Sequence, residues 1–294
     1  MRICNVSFVK IRSGYLRRYV DDPMVHSEDF ICRAVIRFRS MLVNLQEYIG
    51  LWRMFKARLS SPEEYRKMQA FQATLLIRYL RSRGVEIAHK KILDLGCGLG
   101  GYSTEIAKHT CGVVGIDLSH LNWRLKNPPY WVVANALSIP AASEAFDLVI
   151  CASLIEHVQS PLDLLQEIRR VLKKGGYCYL GFPPFHSPRG GHEFSPFHYL
   201  GEKWALRLRR FQAGHPQWVE TLYHAVDKPA SFSRTFEGWG LFPLTIKKAK
   251  RLVKEAGFKT LDISARYMPV NVSRLPLIGE FLTFYVQFLL LREV

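Results

Sequence analysis

The stretch Ile92-Leu93-Asp94-Leu95-Gly96-Cys97-Gly98-Leu99-Gly100-Gly101 constrains the fold more than any other part of the chain. It reads as a short buried strand running straight into a glycine-rich turn. A second apolar run, Gly112-Val113-Val114-Gly115-Ile116, closes on Asp117. Two parallel strands, with a glycine turn after the first and an acid at the tip of the second, form a nucleoside-binding edge. Asp94 lies 23 residues before Asp117, close to the roughly 20-residue offset of a nucleotide-binding βαβ unit. Without a Cβ, the turn glycines let the main chain approach a ligand closely. The strand-end acid can accept hydrogen bonds from both ribose hydroxyls.

Two details turn this reading away from a dinucleotide. The spacing is Gly-x-Gly-x-Gly, although Gly101 partly blurs it. Asp94 stands inside the strand just ahead of the glycines, where a carboxylate suits a cationic ligand and repels a pyrophosphate. Residues from about 60 to 183 resemble a class I S-adenosylmethionine-dependent methyltransferase of the small-molecule, methyltransferase-11-like branch. The resemblance covers Ile92–Gly101, Val114–Ser119, Val133–Pro140, Phe146–Val158 and Val171–Pro184, in family order. It implies S-adenosylmethionine as cofactor and S-adenosylhomocysteine as product. It also implies a cofactor set of Asp94, Gly96, Cys97, Gly98, Gly100, Asp117, Leu118, Asn135, Ala136 and Ser153. Within that set Asp94, Gly96 and Gly98 hold the methionine moiety and Asp117 the ribose. Asn135 meets the adenine amino group where the family usually has Asp; its carbonyl can still accept that hydrogen bond.

The expected fold is α/β. It is a Rossmann-like, seven-stranded, mostly parallel sheet with helices on both faces and a last strand that, as the family implies, runs antiparallel between strands five and six. Strands are expected at Lys91–Leu95, Gly112–Asp117, Trp131–Ala134, Phe146–Cys151, Tyr177–Phe182, Phe258–Ser264 and Phe284–Leu291. Ser61-Pro62-Glu63-Glu64 opens a helix that runs to about Ser82 and ends at Gly84. Further helices are expected from about Tyr102 to His109, from Ser160-Pro161 to Leu172, and from Leu244 to Ala256. Residues 1–60 read as a basic helical extension, and residues 61–294 as the methyltransferase domain. A long aromatic insertion at about 183–243 leaves the carboxyl end of the sheet, where a substrate lid belongs.

Methyl transfer to a hydroxyl benefits from a group that takes its proton. His157, directly after strand four, is the first candidate base; the alternative is that Glu156-His157 only shapes the pocket. His192 and Glu193 are the other catalytic candidates, from the loop His186-Ser187-Pro188-Arg189-Gly190-Gly191-His192-Glu193. His186, Arg189, His198 and Tyr199 are assigned to the substrate. A divalent ion is an alternative that this loop admits, but its spacing matches no tight zinc pattern and no metal site is expected. Asn127-Pro128-Pro129-Tyr130 matches a tetrapeptide of amino-group methyltransferases. It precedes strand three instead of following strand four, so it is set aside as chance.

The net charge of +16 sits on the flanks. Residues 1–60 carry 11 Lys/Arg against 5 Asp/Glu, and residues 201–260 carry 12 against 5; residues 61–200 carry 15 against 12. Such flanks fit an anionic partner or a solvated surface. Six cysteines without a Cys-x-x-Cys pair suggest neither zinc nor a disulfide framework, and Cys111, Cys151 and Cys178 read as core thiols. No run of 18 apolar residues and no signal-peptide layout is seen, which gives a cytoplasmic expectation with peripheral membrane contact as the alternative. The expected function is O-methylation of a sugar or lipid-linked glycan intermediate. The alternatives are a quinone- or lipid-type small-molecule methyltransferase, an RNA methyltransferase using the basic flanks, and a non-catalytic scaffold that binds the cofactor.

Overall fold

The computed structural model describes residues 45–110, 112–118, 130–208, 240–268, 270–275 and 278–294. Most of the basic extension, Cys111, residues 127–129 and the middle of the insertion (209–239) lie outside them.

The sheet forms from β1 (Lys91–Leu95), β2 (Gly112–Asp117), β3 (Tyr130–Val133), β4 (Phe146–Ala152), β5 (Leu172–Phe182), β6 (Lys259–Ala265) and β7 (Val286–Leu291). Its order is β3-β2-β1-β4-β5-β7-β6. The first five strands pair parallel, whereas β7 pairs antiparallel with both β5 and β6. This is the expected architecture, with the last strand in the expected slot.

Side-chain alternation gives each face its own core. Ile92 of β1 and Leu148 and Ile150 of β4 point to one side, with Leu289 of β7, and meet Ala73, Leu76, Ile77 and Leu80. Those four lie on α2 (Pro62–Ser82), which follows α1 (Leu45–Ala57). The opposite side takes Leu93, Leu95, Val149, Cys151, Leu180 and Phe288 against Leu164, Leu165 and Ile168 of α4 (Pro161–Val171). Ala249, Leu252 and Val253 of α6 (Ile246–Glu255) cover the same side. Between α2 and α4 comes α3 (Gly101–Ile106), and α5 (Glu202–Leu208) lies in the insertion. A sheet covered on both faces explains the near-continuous apolar strands.

The helix starts follow local chemistry. Ser61 Oγ accepts the Glu64 N–H at 3.2 Å, Pro62 opens the first turn, and Gly84 closes the element at φ +78°. Thr245 caps α6 in the same way, accepting the Lys248 N–H at 3.0 Å. That cap moves the start of α6 two residues beyond the expected Leu244.

Some boundaries differ from expectation for physical reasons. Helix α3 stops at Ile106 instead of His109, because residues 107–109 close as a turn. Strand β5 begins at Leu172, five residues earlier than expected. Leu172 pairs with Phe146, the register then shifts, and Tyr177 pairs with Leu148, so Lys173–Gly176 bulges between them. Gly175 at φ +73° and the reciprocal Gly175–Arg292 and Arg292–Gly176 backbone hydrogen bonds hold that bulge to the strand end. Strand β7 starts at Val286, two residues later than expected, just after Tyr285, whose ring lies against the Arg266 guanidinium. Cys151 and Cys178 are buried thiols, as expected. Among the described residues no helix is long and apolar enough to cross a membrane.

Candidate active site

The glycine turn after β1 and the tip of β2 are joined directly. Gly96 N–H and Cys97 N–H donate to Ile116 O at 2.8 and 3.1 Å, and Gly98 N–H donates to Asp117 Oδ2 at 2.8 Å. Gly96, Gly98 and Gly100 all take positive φ, at 74°, 53° and 74°. At Gly100 a Cβ would also lie 2.2 Å from the Trp131 ring. Conformation and space therefore both demand glycine there.

Asp94 points from β1 to the α2/α3 side, is 3% exposed, and accepts a hydrogen bond from the Ser103 hydroxyl of α3. Burial, and to a lesser degree the nearby Asp117, push its carboxyl up, the Ser103 hydroxyl pulls it down, and the result is about 7. Asp117 is also buried, whereas Leu118 beyond it is exposed. Asn135 is exposed, and its Oδ1 accepts the Leu137 N–H at 2.9 Å. The same oxygen retains a second lone pair for a ligand. Ala136 follows it, half-buried.

The loops leaving β4 and β5 carry the rest. Ser153 and His192 both hold a left-handed backbone, at φ 57° and 48°. Non-glycine residues rarely adopt that conformation. The Ser153 hydroxyl lies 2.9 Å from Tyr285 Oη. Glu156 and His157 form a short 3₁₀ turn after β4. His157 Nδ1 lies 2.6 Å from the Gly240 carbonyl, so the ring donates from Nδ1 and turns Nε2 inward. His157 Nε2 and His192 Nε2 approach the same oxygen, Glu156 Oε1, at 3.9 and 3.8 Å. The two rings meet edge to face at 4.9 Å.

Burial pushes the Glu156 carboxyl up to about 8 and the His157 imidazole down to about 4. Burial, then the fields of His157, Arg189 and His198, lower His192 well below its usual value. At neutral pH both rings are neutral.

The remaining loop residues do not converge on this group. His186 faces Glu280 at 3.3 Å and stacks on Phe281. Arg189 lies 3.8 Å over the Phe55 ring of α1. His198 is buried against Phe185 and Tyr199, and Tyr199 Oη donates to His186 O at 3.0 Å. The side chain of Glu193 lies outside the described residues. Sequence reasoning missed Ser103, the partner of Asp94. It also missed Arg266, buried among the rings of Tyr102, Tyr179, Tyr267 and Tyr285 and donating to Tyr102 Oη at 2.6 Å. No motif marks either residue, since each finds its partners only through the fold. Glu156 was legible as the neighbour of His157, but its approach to His192 was not.

A family model described as a methyltransferase domain matches residues 93–180. An uncharacterized methyltransferase of Mycobacterium ulcerans (strain Agy99) is 30% identical over 159 residues, which are 52% of this chain and 62% of that protein. The chain thus spans about three-fifths of the length of that relative. Another from Mycobacteroides abscessus is 25% identical over 236 residues, 76% of this chain and 85% of that protein. Among solved structures, a S-adenosylmethionine-dependent methyltransferase from Clostridium acetobutylicum superposes with a TM-score of 0.52 at 12% identity, over 76% of this chain and 91% of that one. One from Mesorhizobium loti gives 0.50 at 16% identity, over 74% and 97%. At such identities the two structures speak for the fold. Residues 93–180 thus match a methyltransferase domain, and the chain is similar to S-adenosylmethionine-dependent methyltransferases in sequence and in fold.

The residues fit the cofactor of those enzymes. Asp94 is a buried carboxylate with a hydroxyl for its neighbour, suited to an ammonium group. The Gly96–Gly98 backbone is tied to Asp117 at the place where a ribose belongs, and exposed Leu118 and Leu137 offer apolar faces to a base. The state of Asp94 leads to a pH prediction. In the free protein its raised value means that the folded state holds a proton which the unfolded chain releases near 3.8. Its contribution to stability is therefore full below that pH and is lost as pH rises through about 7. A bound ammonium favours the ionised form instead. Affinity for S-adenosylhomocysteine should rise from about pH 6 to about pH 8 with proton release on binding, as the linkage of charge to a neighbouring carboxylate requires. Titration calorimetry in buffers of different ionisation enthalpy reads both effects. Asp94→Asn should flatten the rise, and an unflattened profile would assign it to another group.

Proposed function

We propose that this chain transfers a methyl group from S-adenosylmethionine to a hydroxyl of a small-molecule acceptor, a sugar or a lipid-linked glycan intermediate. Bound S-adenosylmethionine supplies a methyl carbon already activated by its sulfonium. What remains for the protein is to position the acceptor, exclude water and manage one proton. Asp94 and the Gly96–Gly98 turn would hold the methionine end, Asp117 the ribose, and Asn135 with Ala136 the base. His157, with Nδ1 fixed on Gly240 O, directs Nε2 toward Glu156 Oε1 at 3.9 Å.

The observation that favours a ring-shaped polar acceptor is the shelf on the β5 loop. His186 and Tyr199 both stack on Phe281, at 5.6 and 6.3 Å, and Tyr199 and Phe281 are exposed. Aromatic rings with polar edges suit the apolar face and hydroxyl rim of a sugar. The neighbouring exposed Leu200, Trp204 and Leu282 favour the second reading, a quinone- or lipid-type acceptor, and would also suit contact with a membrane surface.

Incubation with S-adenosylmethionine labelled on its methyl group and host extract, followed by fractionation, separates these readings. Label in glycan or lipid-linked glycan is the expected result. Label in an apolar small-molecule fraction would move the acceptor to the second reading, and label in RNA would overturn both. Loss of label with Tyr199→Ala ties the product to the aromatic shelf.

A further inference from the structure

Glu156 is the most unusual side chain in the described residues. It is 1% exposed, and neither carboxylate oxygen has a hydrogen-bond partner among them. Buried carboxylates are ordinarily paired, hydrogen-bonded or bound to a cation. Two imidazole edges face it instead. One ligand atom from each of Glu156, His157 and His192 can be chosen so that all three lie within 4.8 Å of one another. The separations of 3.8 and 3.9 Å to Glu156 Oε1 are too long for hydrogen bonds. They are also only slightly wider than the spacing of two ligands about 2.1 Å from a shared ion.

The surroundings fit ligation. His157 Nδ1 on Gly240 O is the outer contact that fixes the tautomer and aims Nε2 of a metal-binding histidine. His192, at a positive φ, sets its Nε2 3.8 Å from Glu156 Oε1. Arg189 and His198, whose fields reach His192, are engaged with Phe55 and with Phe185 and Tyr199.

We propose that Glu156, His157 and His192 bind a divalent first-row transition-metal ion through Glu156 Oε1 and the Nε2 atoms of both histidines, leaving open positions for the acceptor's hydroxyl. Two imidazoles and one carboxylate suit zinc, manganese, iron or cobalt, whereas calcium and magnesium prefer all-oxygen sites. What the ion does rests on the methyl-transfer reading; that it binds does not. At the ion the acceptor O–H is acidified and its proton leaves to solvent. The oxygen then bonds to the methyl carbon while the carbon–sulfur bond breaks, its electron pair staying on sulfur to give a neutral thioether. His157 then serves as a ligand, and a separate general base is not needed.

The test is a titration of chelator-treated protein with cobalt(II), without cofactor or acceptor, read by equilibrium dialysis and by the visible ligand-field bands of cobalt. One ion per chain is expected. Glu156→Gln and His192→Ala should each weaken uptake by more than about tenfold, since even outer-contact changes reach that size. His186→Ala, paired with Glu280 away from the cluster, should leave it unchanged. Glu156→Gln keeps the shape and replaces one unpartnered buried polar group with another of the same size, so the metal-free variant should melt close to the parent and decides the matter even if His192→Ala fails to fold. No saturable uptake by the parent, or uptake that Glu156→Gln leaves intact, would overturn the site. Because no methylation is read, failure here leaves the proposed activity standing, and an inactive but metal-binding protein would fault the activity alone.

Discussion

Asp117→Ala should weaken binding of S-adenosylhomocysteine by at least about a hundredfold, the equivalent of about 2.7 kcal/mol. The carboxylate stands at the tip of β2 and is the only acid on that strand. Hydrogen bonds to a charged acceptor contribute about 1.5–3 kcal/mol each, and the ribose presents two hydroxyls. The substitution also removes the acceptor of the Gly98 N–H, which loosens the turn that must lie against the ligand. Asp117→Asn keeps an oxygen for that N–H but loses the charge, so it should fall between the two. Titration calorimetry measures both variants. An Asp117→Ala protein that binds as tightly as the parent would remove the ribose from this position and the cofactor assignment with it.

The second large effect is on stability. Phe288 lies on β7, fully buried, and stacks on Phe182 of the neighbouring β5 at 6.0 Å with the rings 17° apart. Its side chain also faces α4 and α6 within the larger core. Phe288→Ala should cost about 3–5 kcal/mol, the range for a large aromatic removed from a packed interior. Domains hold only about 5–15 kcal/mol in total, so the variant should unfold at a visibly lower denaturant midpoint, with a melting temperature lower by about 10 °C. Phe288→Leu should recover more than half of the loss, because the isobutyl group refills much of the space. A change below about 1 kcal/mol for the alanine variant would place β7 at the margin of the fold, contrary to its position between β5 and β6.

How much of this was legible in the sequence depends on the range of the interaction. Lys91–Leu95 and Gly112–Asp117 were read to the residue because apolar runs, glycines and a terminal acid are all local signals. Ser61 and Gly84 marked α2 for the same reason. The early start of β5 was hidden, since Lys173-Lys174-Gly175-Gly176 looks like a turn and is held in the strand only through Arg292, more than a hundred residues away. The site divided in the same manner. Asp94, the glycines and Asp117 were visible together within one βαβ unit. Glu156, His157 and His192 were visible one by one, and only the fold brings the β5 loop back over the β4 turn and lays Gly240 O against His157. The loop histidines looked alike in sequence, yet His192 faces Glu156 while His186 faces Glu280.

The place of β7 also sets an order of events for a nascent chain. Strand β6 leaves the ribosome before β7, but among the described residues its partner in the sheet is β7, and β5 likewise waits for β7 along one edge. Until Val286–Leu291 emerges, two strand edges stand open at once, and open edges are where chains pair with the wrong neighbour. A stall or truncation a few residues short of that point would therefore leave a protein with its nucleoside-binding half assembled and its other half exposed to aggregation.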